Sequence, residues 1–332
     1  MSPTRRRPRV RSLRPLALEG VRTYPLASRR SKVKASDFAR PHARGGSLAS
    51  FLDGLPRILA GETLRELTNA ILRARARRRP IVWGLGAQVI KVGLSPLLID
   101  LMERGFVTGL ALNGAGIVHD FELAVTGGTS EDVQAGLGTG DFGMARETGE
   151  ELGRAVVLGD RDGLGLGASI GRYLSQRRPR PRHLKLSLLA AAHRLGLPAT
   201  VHVAVGTDIV HVHPACDPAA LGRATHLDFR LLAAEVARLG GGGGYLNVGS
   251  AVVLPEVFLK AVTLARNLGH PVSGFFTANL DFIQSYRPGV NVVERPVAGH
   301  GRGFRLTGHH EILVPLVAAA LKERAAGRGR AR

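Results

Sequence analysis

At 332 residues and 44% hydrophobic content the chain has the makings of one sizeable core, which excludes disorder for its bulk. One cysteine, Cys216, excludes an intrachain disulfide and fits a reducing interior, and no run reaches the roughly 18 uninterrupted apolar residues that a membrane helix needs. The net charge of +20 comes from 46 basic residues, only six of them lysine, concentrated at the ends and in RARARRR (73–79) and RRPRPR (177–182). Such runs read as solvated faces. With 5% aromatic residues a stacking platform for single strands is poorly supplied, so no specific nucleic-acid partner is expected. The basic N-terminus lacks the apolar stretch of a secretory signal, and a cytoplasmic protein is expected.

Residues 1–45, rich in Arg, Pro and Ser, predict an extended basic arm. A helical pattern starts near Ser47 and continues through Leu64–Arg77, and IVWGLGA (81–87) reads as a buried strand leaving through glycines. Ser95-Pro96 predicts a cap with proline in the first turn, opening LLIDLMERG. The apolar run VTGLALN (107–113) is a second strand. In the second half, ATVHVAVG (199–206), YLNVGS (245–250) and PVSGFFTAN (271–279) read as strands. Helices at 226–239 and 255–269 lie between them, and a last helix opens at His309. This alternation predicts an α/β fold: a Rossmann-like, doubly wound, mostly parallel sheet with helices on both faces and an N-terminal extension. The expected divisions are the arm at 1–45, one domain at 46–322 and a frayed Arg/Gly tail at 323–332.

In an open parallel sheet, ligands sit beyond the carboxyl ends of the strands. Asn113, Gly114, Ala115 and Gly116 follow such an end, where small residues admit a ligand and helix N–H groups favour a pyrophosphate. The same glycines would serve a bare strand-to-helix turn. On the helix that follows, His119 and Glu122 point away from the stripe of Ile117, Phe121 and Ala124, about 60° from each other. Thr129-Ser130-Glu131-Asp132 reads as the cap and acidic first turn of another helix. GTGDFG (138–143) matches a phosphate-loop pattern but follows a helical segment rather than a strand, and is set aside.

NGAGIVHDFELAVTGGTSEDV (113–133), with VRTYPLASRRSKV (21–33) and WGLGAQVIKVGLSPLLIDLMERG (83–105), resembles the deoxyhypusine synthase family in its bacterial deoxyhypusine synthase-like branch. VAVGTDIV (203–210), GGGGYLNVGS (241–250) and FFTAN (275–279) extend the resemblance from about residue 20 to 320. It implies a cytoplasmic, NAD-dependent transferase of aminoalkyl groups acting on an amine or polyamine, assembled as a homotetramer with sites between subunits and open to a protein acceptor. It also places the cofactor at Asn113, Gly114, Ala115, Gly116, Asp208, Gly249, Thr277 and Ala278, with Asp208 at the nicotinamide and substrate.

The chain departs from the family where the synthase keeps an imine-forming lysine. Segment 279–308 holds Arg287, Arg295, Arg302 and Arg305 instead, and arginine stays protonated. A second substrate-binding acid falls on His213, and a basic residue and a histidine fall on Leu254 and Pro255. Lys91, just past the first glycine turn, is the candidate for covalent chemistry; with Asp208, His119 and Glu122 it completes the expected catalytic set. Two rival readings stay open. HVAVGTDIVHVHPACD (202–217) puts His211 and His213 on alternate residues near His202, Cys216 and Asp217, which would suit zinc and a metal-dependent hydrolase. A non-catalytic NAD-binding or scaffold relative fits the missing lysine.

Overall fold

The computed structural model describes residues 13–329, with side chains through Ala326. Contacts divide the chain at Asp37/Phe38. The N-terminal unit has two single 3-10 turns, Leu26–Ser28 and Ala35–Asp37, the second closed by Lys34 N–H on the Asp37 carboxylate at 2.9 Å. Residues 38–45, assigned to the arm by composition, belong to the second unit. There Arg40 bonds the backbone of Asp53 and Gly54, and the His42 ring meets Phe51 edge-on.

In the second unit the helical pattern from Ser47 splits into α1 (Leu48–Gly54) and α2 (Leu59–Ala76), because Pro56 has no N–H to continue the ladder. The Ser47 hydroxyl caps α1 by accepting from Ser50 N–H. Next come β1 (Ile81–Leu85), α3 (Ala87–Lys91), α4 (Ser95–Glu103), β2 (Gly109–Asn113) and α5 (Gly114–Thr126). Ser95 does not cap α4: it lies inside the first turn with its hydroxyl buried and unpartnered. A helical layer follows, with α6 (Val133–Thr139), α7 (Arg146–Arg161), α8 (Leu166–Gln176) and α9 (Leu188–Leu195). The rest comprises β3 (Ala199–His202), α10 (Pro218–Ala237), β4 (Gly244–Val248), α11 (Val253–Asn267), β5 (Phe276–Asp281), the single turn α12 (Tyr286–Pro288), β6 (Arg302–Thr307) and α13 (His310–Gly329). The tail expected to fray from 323 is helical to Gly329, anchored by Lys322 on Asp100 at 2.9 Å and Arg324 near Asp53 at 3.5 Å.

All six strands are parallel, in the order β3-β2-β1-β4-β5-β6. The chain winds outward through β2 and β3, then returns to the other side of β1, so the topological switch lies between β1 and β4. That is the strand order of dinucleotide-binding folds. Strand side chains alternate between two cores. Ile81, Trp83 and Leu85 face one formed with α2, α4 and α13, while Val82 and Tyr245 face another with α11. Gly84 leaves room for the Tyr245 ring, which stacks on Phe258 at 3.8 Å between centroids. β6 was not foreseen, since RGFRLT buries only alternate residues of an edge strand.

Among the described residues no helix is long and apolar enough to cross a membrane.

Candidate functional site

At the end of β2, Asn113 turns the chain into α5, and its side-chain oxygen accepts from Gly116 N–H at 3.2 Å. The loop after β3 brings Asp208 onto the same helix end. A Cβ on Gly114 would stand 2.2 Å from the Asp208 carboxylate, which therefore requires glycine there. Oδ2 of Asp208 accepts from Ala204 N–H at 2.7 Å, and the carboxylate also takes the N–H of Ala115. Burial raises its pKa, while these N–H bonds and the nearby His211 pull it down.

The two stretches predicted to share a ligand thus meet within one chain, by direct contact. This corrects the expected anion cradle at Asn113, Gly114, Ala115 and Gly116. The N–H groups of 115 and 116 are already satisfied by Asp208 and Asn113, because a carboxylate at a helix N-terminus does what a phosphate would do. What occupies this end of the crest is a buried acid.

One turn along α5, His119 and Glu122 share a partner missed in the sequence. His119 Nδ1 lies 2.7 Å from Thr129 Oγ1, and the Thr129 hydroxyl donates to Glu122 Oε2 at 2.5 Å. The buried Thr148 of α7 donates to the other carboxylate oxygen at 3.2 Å. Thr129 reaches this position because α5 ends on Gly127 at φ 78° and the chain folds back along the helix. Thr129 is therefore not a cap, and α6 starts later with Asp132 accepting from Ala135 N–H at 3.1 Å. Burial, then the charge of Lys91, pushes His119 down to about 4, so its imidazole is neutral at pH 7. Lys91, at the end of α3, is exposed beside it.

At the switch between β1 and β4 the backbone itself is close-packed. Gly86 N–H donates to Val248 O at 2.8 Å, and a Cβ on Gly86 would stand 2.1 Å from Gly249 O. Gly249 is left-handed at φ 70°, with the Gln88 amide on its carbonyl and the His310 ring beside it. His310 and Asp281, both buried, approach to 3.5 Å. Below them Asn247 donates to Ser250 O at 2.8 Å and Asn279 Oδ1 at 2.7 Å, and Asn279 donates to Gln284 at 2.9 Å. Among the described residues Asn247 Oδ1 has no hydrogen-bond partner, and His310 Nε2, the ring atom that faces Asp281 Oδ1 at 3.5 Å, makes no well-formed hydrogen bond. Gln88, Asn247, Asp281 and His310 escaped the sequence reading. A polar residue closing a strand was the available signal for Asp281, whereas His310 follows the unforeseen β6.

Thr277 and Ala278 are corrected. β5 starts at Phe276 rather than 271, which puts both near its N-terminal end, fully buried and away from the carboxyl crest. The zinc reading also fails on geometry. Ile209–His211 is a 3-10 turn, so alternate residues do not share a strand face. His211 Nδ1 meets Asp208 O at 3.0 Å, His213 Nδ1 accepts from Ala215 N–H at 3.1 Å, and Asp217 caps α10. His202 is buried against Thr200, and burial pushes it down to about 4. Among the described residues no three His, Cys, Asp or Glu side chains gather as metal ligands would. Of the other lysines, Lys260 is tied to Glu256 at 2.6 Å.

Neither a family model nor a curated protein sequence matches the chain. Solved structures share the fold. AgrE in complex with L-arginine superposes with a TM-score of 0.51 at 14% identity, over 80% of this chain and 32% of AgrE. AgrE with ornithine and NAD+ gives 0.49 at 13% identity, over 80% and 33%. A LOR/SDH protein of Methanococcus maripaludis S2 gives 0.50 at 11% identity, over 81% and 71%. A provisionally assigned deoxyhypusine synthase of Entamoeba histolytica gives 0.48 at 9% identity, over 86% and 96%. The chain spans about a third of the length of AgrE. At these identities the likeness establishes a Rossmann-like α/β fold and nothing finer.

Proposed function

We propose that the chain is an NAD-dependent transferase of the deoxyhypusine synthase family, moving an aminoalkyl group from an amine or polyamine. The observation that carries this reading is the crest itself. A sheet in dinucleotide-binding order has its switch at Gly86 and Gly249, where Asn247 Oδ1 is buried without a hydrogen-bond partner among the described residues and His310 Nε2 has only the Asp281 carboxylate at 3.5 Å. At the end of the neighbouring strand β2 stands a carboxylate, Asp208, seated on the helix N-terminus that a phosphate would otherwise take, and on this reading it meets a cation. On this reading a dinucleotide would lie over β1 and β4, met by Gly249, Ser250 and His310. When bound, NAD supplies the hydride acceptor. The chain's own part is to hold the ammonium at Asp208, keep a neutral imidazole at His119 and offer Lys91 as the exposed amine. The sequence resemblance supplies the substrate class.

Millimolar NAD is expected to raise the melting temperature of the full chain, since ligand at a hundredfold excess over Kd adds roughly 2.7 kcal/mol. No shift would overturn the cofactor reading. With NAD and a panel of diamines and polyamines, NADH absorbance is expected. Asp208→Asn, which keeps the acceptor for Ala204 N–H, should lower that rate at least about tenfold, one charge-assisted contact being worth roughly 1.5–3 kcal/mol. An unchanged rate would remove Asp208 from the substrate site.

The reading includes a homotetramer with sites between subunits. Supporting it, Phe282, Ile283, Tyr286 and Ile312 are exposed together where β5 ends and α13 begins, Tyr286 at 72% and Ile312 at 68%. Exposed apolar clusters of this kind mark association surfaces. Sedimentation of the purified chain decides: a monomer at micromolar concentration refutes the assembly.

A further inference from the structure

We infer that Thr129 is a positioning residue that locks His119 in its Nδ1–H tautomer and leaves Nε2 as a bare proton acceptor. A hydroxyl has one proton. Thr129 spends it on Glu122 Oε2 at 2.5 Å, so toward the ring nitrogen 2.7 Å away it can only accept. Nδ1 must therefore carry the hydrogen, and the lone pair is left on Nε2. Among the described residues nothing hydrogen-bonds that atom, and on the half-buried ring it keeps access to solvent or a ligand.

The arrangement is held from both ends. Glu122 is fixed by Thr148 on its other oxygen, and Thr129 is held by the fold-back at Gly127 and Gly128, where Thr126 bonds both Glu122 O and Gly128 N–H. The neutral state of His119 suits the same role, since an imidazolium would have no lone pair to offer. A carboxylate thus orients a histidine through an interposed hydroxyl, a three-membered relay of the kind that sets base direction in hydrolytic triads. The relay deepens the proposed catalytic site by giving His119 the base role beside Lys91. It belongs to the chain alone, so its test needs no cofactor and stands even if NAD does not bind.

The test is long-range proton–nitrogen NMR on the full chain with labelled histidine, the His119 signals identified by their loss in His119→Gln. Wild type should show a protonated Nδ1 and an unprotonated Nε2 at pH 7. Thr129→Val should abolish that preference, and Thr129→Ser should restore it. A wild-type Nε2–H tautomer overturns the inference outright, even if Thr129→Val fails to fold. An unchanged tautomer in a folded Thr129→Val does so as well.

Discussion

Asp228→Ala is expected to destabilise the chain by about 2–6 kcal/mol, the cost of orphaning two buried N–H groups at roughly 1–3 kcal/mol each. Asp228 lies fully buried on α10, and its Oδ2 accepts from Gly167 N–H at 2.9 Å and Val201 N–H at 2.7 Å, tying the start of α8 to β3. Its other oxygen, Oδ1, makes no well-formed hydrogen bond among the described residues, although Leu166 N–H also faces the carboxylate. A charge on that buried oxygen is costly, and burial raises the carboxyl to about 7 against the pull of the N–H groups. Asp120, which caps α9 through Ser187, Leu188 and Leu189, is raised to about 6 by the same cause.

The pH dependence follows. Because both folded pKa values lie above the unfolded ones, their stabilisation is complete below about pH 4 and is lost as pH rises through 6 and 7. For Asp228 the loss is on the order of 4 kcal/mol, at 1.36 kcal/mol per unit. Glu151, held low first by its hydrogen bond from Arg177, acts oppositely: its contribution is lost as pH falls through its folded pKa. His119 and His202, both pushed down to about 4, act in the same sense as Glu151, because the unfolded chain takes up their protons as pH falls below about 6.5. The check is therefore a comparison by urea unfolding: Asp228→Asn keeps an acceptor for both N–H groups and removes one titration, so it should cost less than alanine and gain on wild type as pH rises from about 5 to about 8. If that difference is flat with pH, the carboxyl is ionised in the folded state and the burial account is wrong.

Gly86→Ala is expected to cost about 1–3 kcal/mol, as overpacking does, and to abolish any NAD-induced rise in melting temperature. Gly86 has an ordinary φ of −69°, so its backbone would accept a side chain; the obstacle is Gly249 O at 2.1 Å from the new methyl. Backbone cannot rotate away, so the ends of β1 and β4 must part and the crest deform. Gly93→Ala is the control. Its φ of 83° disfavours a side chain, by roughly 1–2 kcal/mol, but the space around it is open and the crest is untouched. Similar losses of stability with the NAD response surviving only in Gly93→Ala would support the switch as the cofactor's seat. Survival in both would place the cofactor elsewhere.

Which features were legible follows from the range of the interaction that makes them. Asn113 and Gly116 are three residues apart, and the cap they form is written in a strand-to-helix pattern. The run of five glycines that leads into β4, Gly240 to Gly244, announces its start for the same reason. β5 was misplaced by its first five residues because Pro271–Phe275 is apolar without being paired; a strand begins where a neighbour supplies hydrogen bonds, here Gly244 opposite Phe276. Thr277 and Ala278, assigned to the cofactor by the family resemblance, thus fall near the start of β5 rather than at its end. The histidines at 211 and 213 misled because alternation means a shared face only in an extended strand, and this stretch is a tight turn.

The amino-acid pattern alone determined the α/β class, the doubly wound parallel sheet and the placing of Asn113 to Gly116 at a strand end. Periodicity and glycine punctuation are local, and burial of an apolar stripe leaves few alternatives. Only the tertiary structure decided the strand order, the seating of Asp208 on Gly114, the meeting of His310 with Asp281 and the insertion of Thr129 between His119 and Glu122. Those depend on hydrogen bonds and close approaches between segments brought together by packing, where a displacement of one ångström makes or breaks the contact and no local repeat records it.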